Sequence, residues 1–351
     1  MVGTRLAPKL LYSPFEAGCT KVVAVKDSNR FRRLPTANPR RVPPAPAERI
    51  QDLQNTVAVA ALTFDRPGDV RTLLGALARQ THAPHSISLV DAGTQPVDQI
   101  AADAPVPVTY LRSEANLGGA GGFSYAILSA LASGAEWVWI MDDDAHPEDP
   151  SCLATLLAAA ESRGLEVVVP LIVAPGEPSK LSFPFRLDGH LTHERSVVEP
   201  LGLIENVGQF FNGALIRSDV FFKVGLPDLR LFIRGDEVDF MLRLRQANVS
   251  FGTVTTVALT HPAGWGEVKE LVGDRLHVLV PETPFKRFYY FRNRGYLTRK
   301  HLRLKSFVAD AVGYPLYFLK RGDPKGLAQW AGAYWAGLRG AKFGPLKDQK
   351  F

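Results

Sequence analysis

Residues 137–149 read WVWIMDDDAHPED, an apolar run of strand length that ends in three adjacent aspartates. Apolar runs of this length between polar residues are typical of buried β-strands. In an extended chain, residues two apart point to the same side, so Asp142 and Asp144 can converge while Asp143 faces elsewhere. The stretch therefore predicts either a polar turn that caps the next helix or a site that gathers carboxylate oxygens.

The surrounding sequence alternates between strand and helix patterns. Apolar runs predict strands at residues 56–62, 86–90, 107–111, 136–141 and 166–171. Between them, apolar residues recur at helical spacing, as from Val70 to Leu77. This order predicts an α/β fold with a mostly parallel sheet covered by helices. Ligands of such sheets bind beyond the carboxyl ends of the strands, which is where the three aspartates lie.

Composition narrows the class of protein. The chain has 351 residues, 46% of them hydrophobic, and a formal net charge of +6. This mild positive charge fits an anionic substrate or an anionic membrane surface. No basic run interleaved with exposed aromatic residues resembles a nucleic-acid-binding surface. Cys19 and Cys152 lack metal-site spacing. No segment reaches the roughly 18 apolar residues of a membrane span, so we expect neither an integral nor a signal-secreted protein.

Three regions follow from the sequence. Residues 1–50 contain five prolines between Pro35 and Pro46 and predict an N-terminal extension with a linker. Residues 51–280 predict the α/β domain, and residues 281–351 a basic and aromatic helical region. In that last region, an apolar stripe allows two interpretations, core packing or a helix at a membrane surface. It consists of Leu327, Trp330, Ala331, Tyr334, Trp335 and Leu338.

A glycine-rich segment, NLGGAGGF at residues 116–123, precedes a predicted helix. Gly118 and Gly119 allow close backbone approach, and a helix N-terminus favours anionic groups. The dinucleotide-binding fingerprint fits poorly, because Ser124 stands where its third glycine belongs. A structural loop and a ligand loop both remain open.

Polar residues follow the first two predicted strands at the same edge of the sheet. Thr63 and Arg66 occur in LTFDRP, and Asp91 in VDAG. Each residue alone is typical of a turn. Together, they predict a nucleotide site in which Asp91 accepts a hydrogen bond from a base and Arg66 supplies planar donors.

Three further segments carry acidic or basic side chains. LFIRGDEVDFMLR, residues 231–243, places Asp236 and Glu237 at a helix start, either as partners of the helix dipole or as a general base. THPAGW supplies His261, either a structural residue or a third metal ligand. FKRFYYFRNRG, residues 285–295, predicts either a surface helix face or a phosphate contact through Arg292 and Arg294.

Taken in order, these motifs resemble family 2 glycosyltransferases of the GT-A fold. The resemblance rests on LTFDRP, VDAG, NLGGAGGF, MDDDA, FFNGALIRSD, LFIRGDE, the His261 segment and FRNRG, and it covers roughly residues 55–340. More narrowly, they are similar to the actinobacterial galactofuranosyltransferases of cell-wall galactan synthesis, especially the group that initiates it. The order of the motifs is more specific than the aspartates alone.

The resemblance implies an activity and a location. It implies inverting transfer of galactofuranose from UDP-galactofuranose to a polyprenyl-diphosphate-linked N-acetylglucosamine and rhamnose acceptor. The enzyme would act as a peripheral protein at the cytoplasmic face of the plasma membrane, with Mn²⁺ or Mg²⁺ and possible homo-oligomers. Two alternatives stay open, a rhamnosyltransferase that uses a dTDP-sugar on the same fold and a non-catalytic scaffold that binds a nucleotide sugar.

The resemblance also implies roles for residues. Glu237 is favoured over Asp236 as the base, although the related polymerase has Asp at that second position. The implied metal ligands are Asp142, Asp144 and His261. The implied nucleotide-sugar contacts are Thr63, Arg66, Asp91, Asn116, Gly118, Gly119, Asp142 and Asp143. The implied acceptor or phosphate contacts are Phe211, Asn212, Gly213, Trp265, Arg292 and Arg294.

Overall fold

A computed structural model describes residues 55–187, 190–272 and 276–346. The predicted extension at residues 1–50 lies outside the described residues. The strands are β1 Val57–Thr63, β2 Ser86–Asp91, β3 Val108–Arg112, β4 Trp137–Asp142, β5 His146–Pro147, β6 Val167–Ala174, β7 Glu177–Leu187, β8 His190–Glu194, β9 Leu203–Glu205, β10 Leu215–Arg217, β11 Phe251–Thr260, β12 Val268–Val272 and β13 Leu276–Leu279. The helices are α1 Pro67–Ala78, α2 Asp98–Ala102, α3 Gly118–Ala132, α4 Cys152–Arg163, α5 Arg195–Val198, α6 Ser218–Val224, α7 Asp236–Gln246, α8 Pro284–Lys300, α9 Leu304–Lys320 and α10 Pro324–Arg339.

The main sheet has the strand order β3-β2-β1-β4-β10-β6-β11-β5. Strands β3, β2, β1 and β4 are parallel, and β6 is parallel to β11. Strand β10 runs antiparallel between β4 and β6. Parallel neighbours end at the same edge, so the residues that follow β1, β2 and β4 meet there.

Both faces of the sheet are covered by apolar clusters. One cluster joins α1 and α4 to residues such as Val59 and Trp139, and the other joins α3 and α7 to residues such as Ala60 and Ile140. Every residue of β1 is buried because its alternate side chains enter the two clusters. This arrangement confirms the predicted α/β class and the helical cover of the sheet.

The C-terminal helices have a cluster of their own, which includes the β12–β13 hairpin. Trp330 and Tyr334 of α10 are buried in it, and the ring of Trp330 stacks on Tyr314 at 5.6 Å. The apolar stripe of α10 is therefore mainly core, although Trp335 is exposed. Among the described residues, no helix combines the length and hydropathy that crossing a membrane requires.

Candidate active site

The middle aspartate of the triplet organises the turn after β1. Asp143 is buried and accepts hydrogen bonds from the Thr63 hydroxyl at 2.8 Å and the Phe64 amide at 3.1 Å. Its other oxygen accepts from Arg66 at 2.9 Å. Asp143 and Asp144 lie in a turn after β4 and both contact Arg66, so the expected separation of Asp143 from its neighbours, which assumes an extended chain, does not apply here. Asp143 ties the end of β4 to the end of β1 and fixes the guanidinium of Arg66 at the rim.

Asp144 lies between two basic groups. One oxygen contacts Arg66, and Oδ1 lies 3.3 Å from Nε2 of His261. These contacts hold the pKa of Asp144 below its usual value against the opposing effect of burial. The structure thus brings together three residues from three separate strand ends.

Asp142 forms no ion pair with any residue that the structure describes, although its Oδ1 accepts from the Asp143 amide at 3.0 Å. Burial, followed by the charges of Asp143 and Asp144, raises its pKa to about 7. The ligand atoms that Asp142, Asp143 and Asp144 offer all lie within 4.8 Å of one another. Such a group is stable in its ionised form only when positive charge lies beside it.

These residues fit a divalent cation. Nδ1 of His261 lies 2.7 Å from the carbonyl oxygen of Pro262; when the neutral ring carries its proton on Nδ1, the Nε2 lone pair faces Asp144. The buried Oδ1 of Asp144 has no hydrogen-bond donor of suitable geometry, despite the nearby Nε2. Two acceptors that face each other at 3.3 Å require a proton or a metal ion between them. Carboxylate oxygens are ligands that Mn²⁺ and Mg²⁺ prefer, and the imidazole adds a nitrogen ligand that transition metals accept.

The acidic pair begins α7. Burial raises the pKa of Asp236 to about 6. Burial and the neighbouring Asp236 raise the pKa of Glu237 to about 7, although its Oε1 accepts from the Phe211 amide at 3.4 Å. The charge of His261 opposes the pKa shifts of both Glu237 and Asp142. Glu237 and Asp142 are therefore both close enough to the imidazole to feel its charge.

The glycine-rich segment packs against the loop that carries this pair. The Asn116 side chain accepts from the Gly118 amide at 2.8 Å, which starts α3. Gly118 has a φ of +65°, and a Cβ there would lie 2.3 Å from the carbonyl oxygen of Phe232. A Cβ on Gly119 would lie 3.5 Å from Oδ2 of Asp236. Gly118 is thus needed for the close approach of α3 to the loop before Asp236, whereas a Cβ on Gly119 would meet Asp236 at an ordinary contact distance.

Asp91 has a different place from the one predicted. It is completely buried, and its oxygens accept from the amides of Gly93 and Val97 and from the Tyr110 hydroxyl. Arg112 also lies 3.0 Å from Oδ1. Because these protein donors occupy both oxygens, Asp91 holds the turn after β2 and the proposed base contact needs correction.

The prediction that Arg292 and Arg294 contact phosphate also needs correction. Arg292 is completely buried and donates to the carbonyl oxygens of Arg230 and Leu231. The Arg294 guanidinium pairs with the buried carboxylate of Asp310 on α9. Both charges are used inside the protein, so they stabilise the helical region.

The other residues predicted as acceptor contacts lie in two parts of the chain. Phe211 and Asn212 are buried beside the acidic pair, and the Phe211 ring lies 4.9 Å from that of Phe123. Gly213 has a φ of +101° and accepts from the Trp139 indole at 2.9 Å. Trp265 donates to the Leu181 carbonyl at 2.8 Å, beyond His261 along the chain.

Sequence reasoning missed Asn293 as a support of the acidic pair. Its Nδ2 donates to the carbonyl oxygens of Leu231 at 3.0 Å and Ile233 at 2.8 Å, and it also contacts that of Arg234. Phe232 and Arg234, within this loop, both have positive φ angles. One side chain of α8 thus fixes the strained segment that leads to Asp236. Asn293 lies in the motif FRNRG, but the motif was interpreted through its arginines alone.

Comparison with known proteins gives the family. The model for "Glycosyl transferase family 2" matches residues 59–221, which contain the triplet and the glycine-rich segment. The chain belongs to glycosyltransferase family 2 and is a glycosyltransferase. Galactofuranosyltransferase GlfT1 of Mycobacterium tuberculosis is 39% identical over 299 residues, which are 83% of this chain and 98% of that protein. GlfT1 of Mycolicibacterium smegmatis is 39% identical over 283 residues, 78% of this chain and 93% of that protein.

A solved structure supports the fold. The TarS 1–349 fragment of S. aureus, in complex with UDP-GlcNAc, has a TM-score of 0.52 at 14% identity and covers 82% of each chain. At this identity the likeness concerns the fold alone. Together with the family, it confirms the predicted GT-A fold with its C-terminal helices.

Proposed function

We propose that this enzyme is an inverting galactofuranosyltransferase that uses UDP-galactofuranose. Its acceptor is a polyprenyl-diphosphate-linked N-acetylglucosamine and rhamnose glycolipid, and its product begins cell-wall galactan. The identity of 39% to GlfT1 over most of both chains supports the donor sugar. The observation that carries the chemistry is that Glu237, a buried carboxylate with a raised pKa, and Asp142 of the aspartate triplet both feel the charge of His261.

Glu237 is the general base in this mechanism. Its carboxylate removes the proton from the acceptor hydroxyl as that oxygen attacks the anomeric carbon from the face opposite the diphosphate. The bond between the anomeric carbon and the diphosphate oxygen breaks, and UDP leaves with the electron pair. A pKa of about 7 suits a base that works near neutral pH, because the group is ionised and still basic.

Asp142, Asp144 and His261 are the residues that would hold Mn²⁺ or Mg²⁺. The ion would supply positive charge to the leaving diphosphate. Arg66 is fixed beside them by Asp143 and Asp144, so its guanidinium can pair with a phosphate oxygen of UDP. Thr63, Asn116, Gly118 and Gly119 border the same nucleotide site.

Phe211, Asn212, Gly213 and Trp265 line the acceptor side. Residues 51–280 form the catalytic domain in this proposal, and residues 281–351 contact the acceptor and the membrane. Because the lipid diphosphate stays in the bilayer, the enzyme works as a peripheral protein at the cytoplasmic face of the plasma membrane, alone or as a homo-oligomer.

A donor panel tests the proposal. Purified protein, Mn²⁺ or Mg²⁺ and a synthetic lipid acceptor are incubated with UDP-galactofuranose, UDP-galactopyranose or dTDP-rhamnose, and the products are identified by mass spectrometry and NMR. We expect turnover of UDP-galactofuranose with inversion at the anomeric carbon. Turnover of dTDP-rhamnose alone would make the enzyme a rhamnosyltransferase, and binding without turnover of any donor would make it a scaffold.

A further inference from the structure

Helix α9 has an apolar face that points to solvent. Leu304 is 72% exposed, Val308 55%, Val312 56% and Leu319 68%. With the exposed Ala311, these positions recur at helical spacing and form one stripe. We call this stripe the α9 surface, and its residues are Leu304, Val308, Ala311, Val312 and Leu319.

The opposite side of α9 already has its packing partners. Asp310 pairs with Arg294 of α8, and Tyr314 packs on Phe291 at 5.1 Å. Phe318 and Gly313 are also buried. Because the inward side holds the helix in place, the α9 surface is not needed for the core of the described residues. A helix face that only meets water normally carries polar residues.

Positive charge accompanies the α9 surface. Between residues 304 and 342 the sequence has six cations, namely Lys305, Lys320, Arg321, Lys325, Arg339 and Lys342. All six residues are exposed. The two acids of this segment are used inside the protein, since Asp310 is buried and Asp323 caps α10 through the Gly326 amide. Residues 304–342 therefore combine exposed apolar side chains with more cations than acids.

We propose that the α9 surface is the membrane-docking element and inserts at the interface of an anionic lipid bilayer. Apolar side chains flanked by cations match the boundary between acyl chains and anionic headgroups. A second copy of the chain would find the same positive charge on its partner, and that repulsion disfavours a dimer through this face. The choice of a lipid surface rests on the proposed function, because a polyprenyl acceptor remains in the bilayer.

The docking element is connected to the catalytic loop by packed side chains. Asp310 of α9 pairs with Arg294, which is the neighbour of Asn293 on α8. Asn293 in turn holds the carbonyl oxygens before Asp236. A membrane bound to the α9 surface would therefore have a fixed orientation relative to the acidic pair. This connection lets a soluble domain act on a substrate whose lipid stays in the bilayer.

Vesicle flotation of the full-length protein tests the proposal. Vesicles consist of phosphatidylcholine alone or of phosphatidylcholine with phosphatidylglycerol. The test variant is Val308→Ser, Val312→Ser and Leu319→Ser together. The matched control replaces three comparably exposed apolar residues outside α9, as Leu128→Ser, Val197→Ser and Phe222→Ser. A second variant, Lys305→Glu with Lys325→Glu, changes charge without touching the apolar stripe.

We expect the wild type to float with the anionic vesicles, and the control to match it. The serine variant should bind roughly 10- to 100-fold more weakly, because three apolar side chains no longer leave water. The glutamate variant and added salt should both reduce binding to the anionic vesicles, since surface attraction is screened within about 10 Å at 0.1 M salt. Because the glutamates are exposed, this arm remains informative if the serine variant fails to fold.

Three outcomes would overturn the docking proposal. They are wild-type protein that ignores both vesicles, a serine variant that floats like the control, and a wild-type dimer that the serine variant converts to monomer without any vesicle binding. Transfer to a short soluble acceptor separates this proposal from the proposed function. If the wild type floats but transfers no galactofuranose, the docking proposal stands and the proposed function fails. If it transfers galactofuranose but does not float, the docking proposal fails and the proposed function stands.

Discussion

Replacing Glu237 by Gln tests the assignment of the base most directly. Gln keeps the side-chain length and an oxygen that can accept from the Phe211 amide, but it cannot take up a proton at neutral pH. We expect turnover to fall roughly 10²- to 10⁴-fold, the usual contribution of a general base. The affinity for UDP-galactofuranose should stay near that of the wild type, because the substitution leaves the aspartate triplet and Arg66 unchanged.

The pH dependence adds a second readout. The pKa of Glu237 is raised from 4.5 to about 7, so wild-type kcat/KM should rise about tenfold per pH unit below pH 7 and level off above it. The residual activity of the variant should lack this rise.

The same pKa shift has a consequence for stability. Folding favours the protonated acid, so the free energy of unfolding of the wild type falls as pH rises from about 4.5 through 7. Glu237→Gln removes that loss. In metal-free protein the variant should therefore be more stable than the wild type at pH 8, by up to about 3 kcal/mol, and equal to it below pH 4.5.

The measurements are initial rates from pH 5.5 to 8.5, donor binding by calorimetry, and urea unfolding at about pH 4 and pH 8. Glu161→Gln serves as a control, because Glu161 is an exposed carboxylate on α4. Near wild-type turnover in Glu237→Gln would refute the assignment and transfer the role to Asp236. A flat wild-type pH profile across pH 7 would contradict the pKa argument itself.

Three other predictions concern the supports of the site. Asp144→Ala should abolish transfer and make UDP affinity insensitive to chelator, which calorimetry measures. Asp143→Asn should lower the free energy of unfolding in urea by roughly 1–3 kcal/mol, because buried donors lose an acceptor. Gly118→Ala should unfold or inactivate the protein, because the new Cβ clashes with Phe232. Gly134→Ala is the control: it also has a positive φ, but nothing lies within 4 Å of its Cβ, so urea unfolding should show a loss of only about 1–2 kcal/mol in the free energy of unfolding. Asn293→Leu should reduce turnover more than donor affinity in kinetic and binding assays, because the carbonyls before Asp236 lose their donor, and equal losses would contradict a positioning role.

Local patterns in the sequence predict much of the fold. The continuous apolar run before Asp142 belongs to a strand with both faces covered, and the structure confirms that β4 is such a strand. The alternation of side chains predicts that Asp143 faces away from Asp142 and Asp144, but the chain turns at Asp143, so Asp143 and Asp144 share the guanidinium of Arg66. The antiparallel β10 between β4 and β6 is not predictable in this way, because three residues carry too little periodicity to show pairing partners.

The interior use of charged side chains depends on distant segments. Arg292 and Arg294 look like phosphate ligands in FRNRG, and Asp91 looks like a base contact in VDAG. Each side chain binds partners that are distant in sequence. Arg292 donates to the carbonyl oxygen of Arg230, and Arg294 pairs with Asp310. The same reason explains why Asn293 escaped notice.

The sequence by itself determined the α/β class, the strand ends that carry polar residues and the candidates for metal and base. Tertiary structure alone decided which candidates share a site, that His261 faces Asp144, and that Trp330 belongs to the core while Val308 and Leu319 face solvent. The physical reason is that periodicity reports which residues lie on one side of a single element. Contacts between elements depend on long-range packing, which places residues more than 100 positions apart within 4 Å of each other.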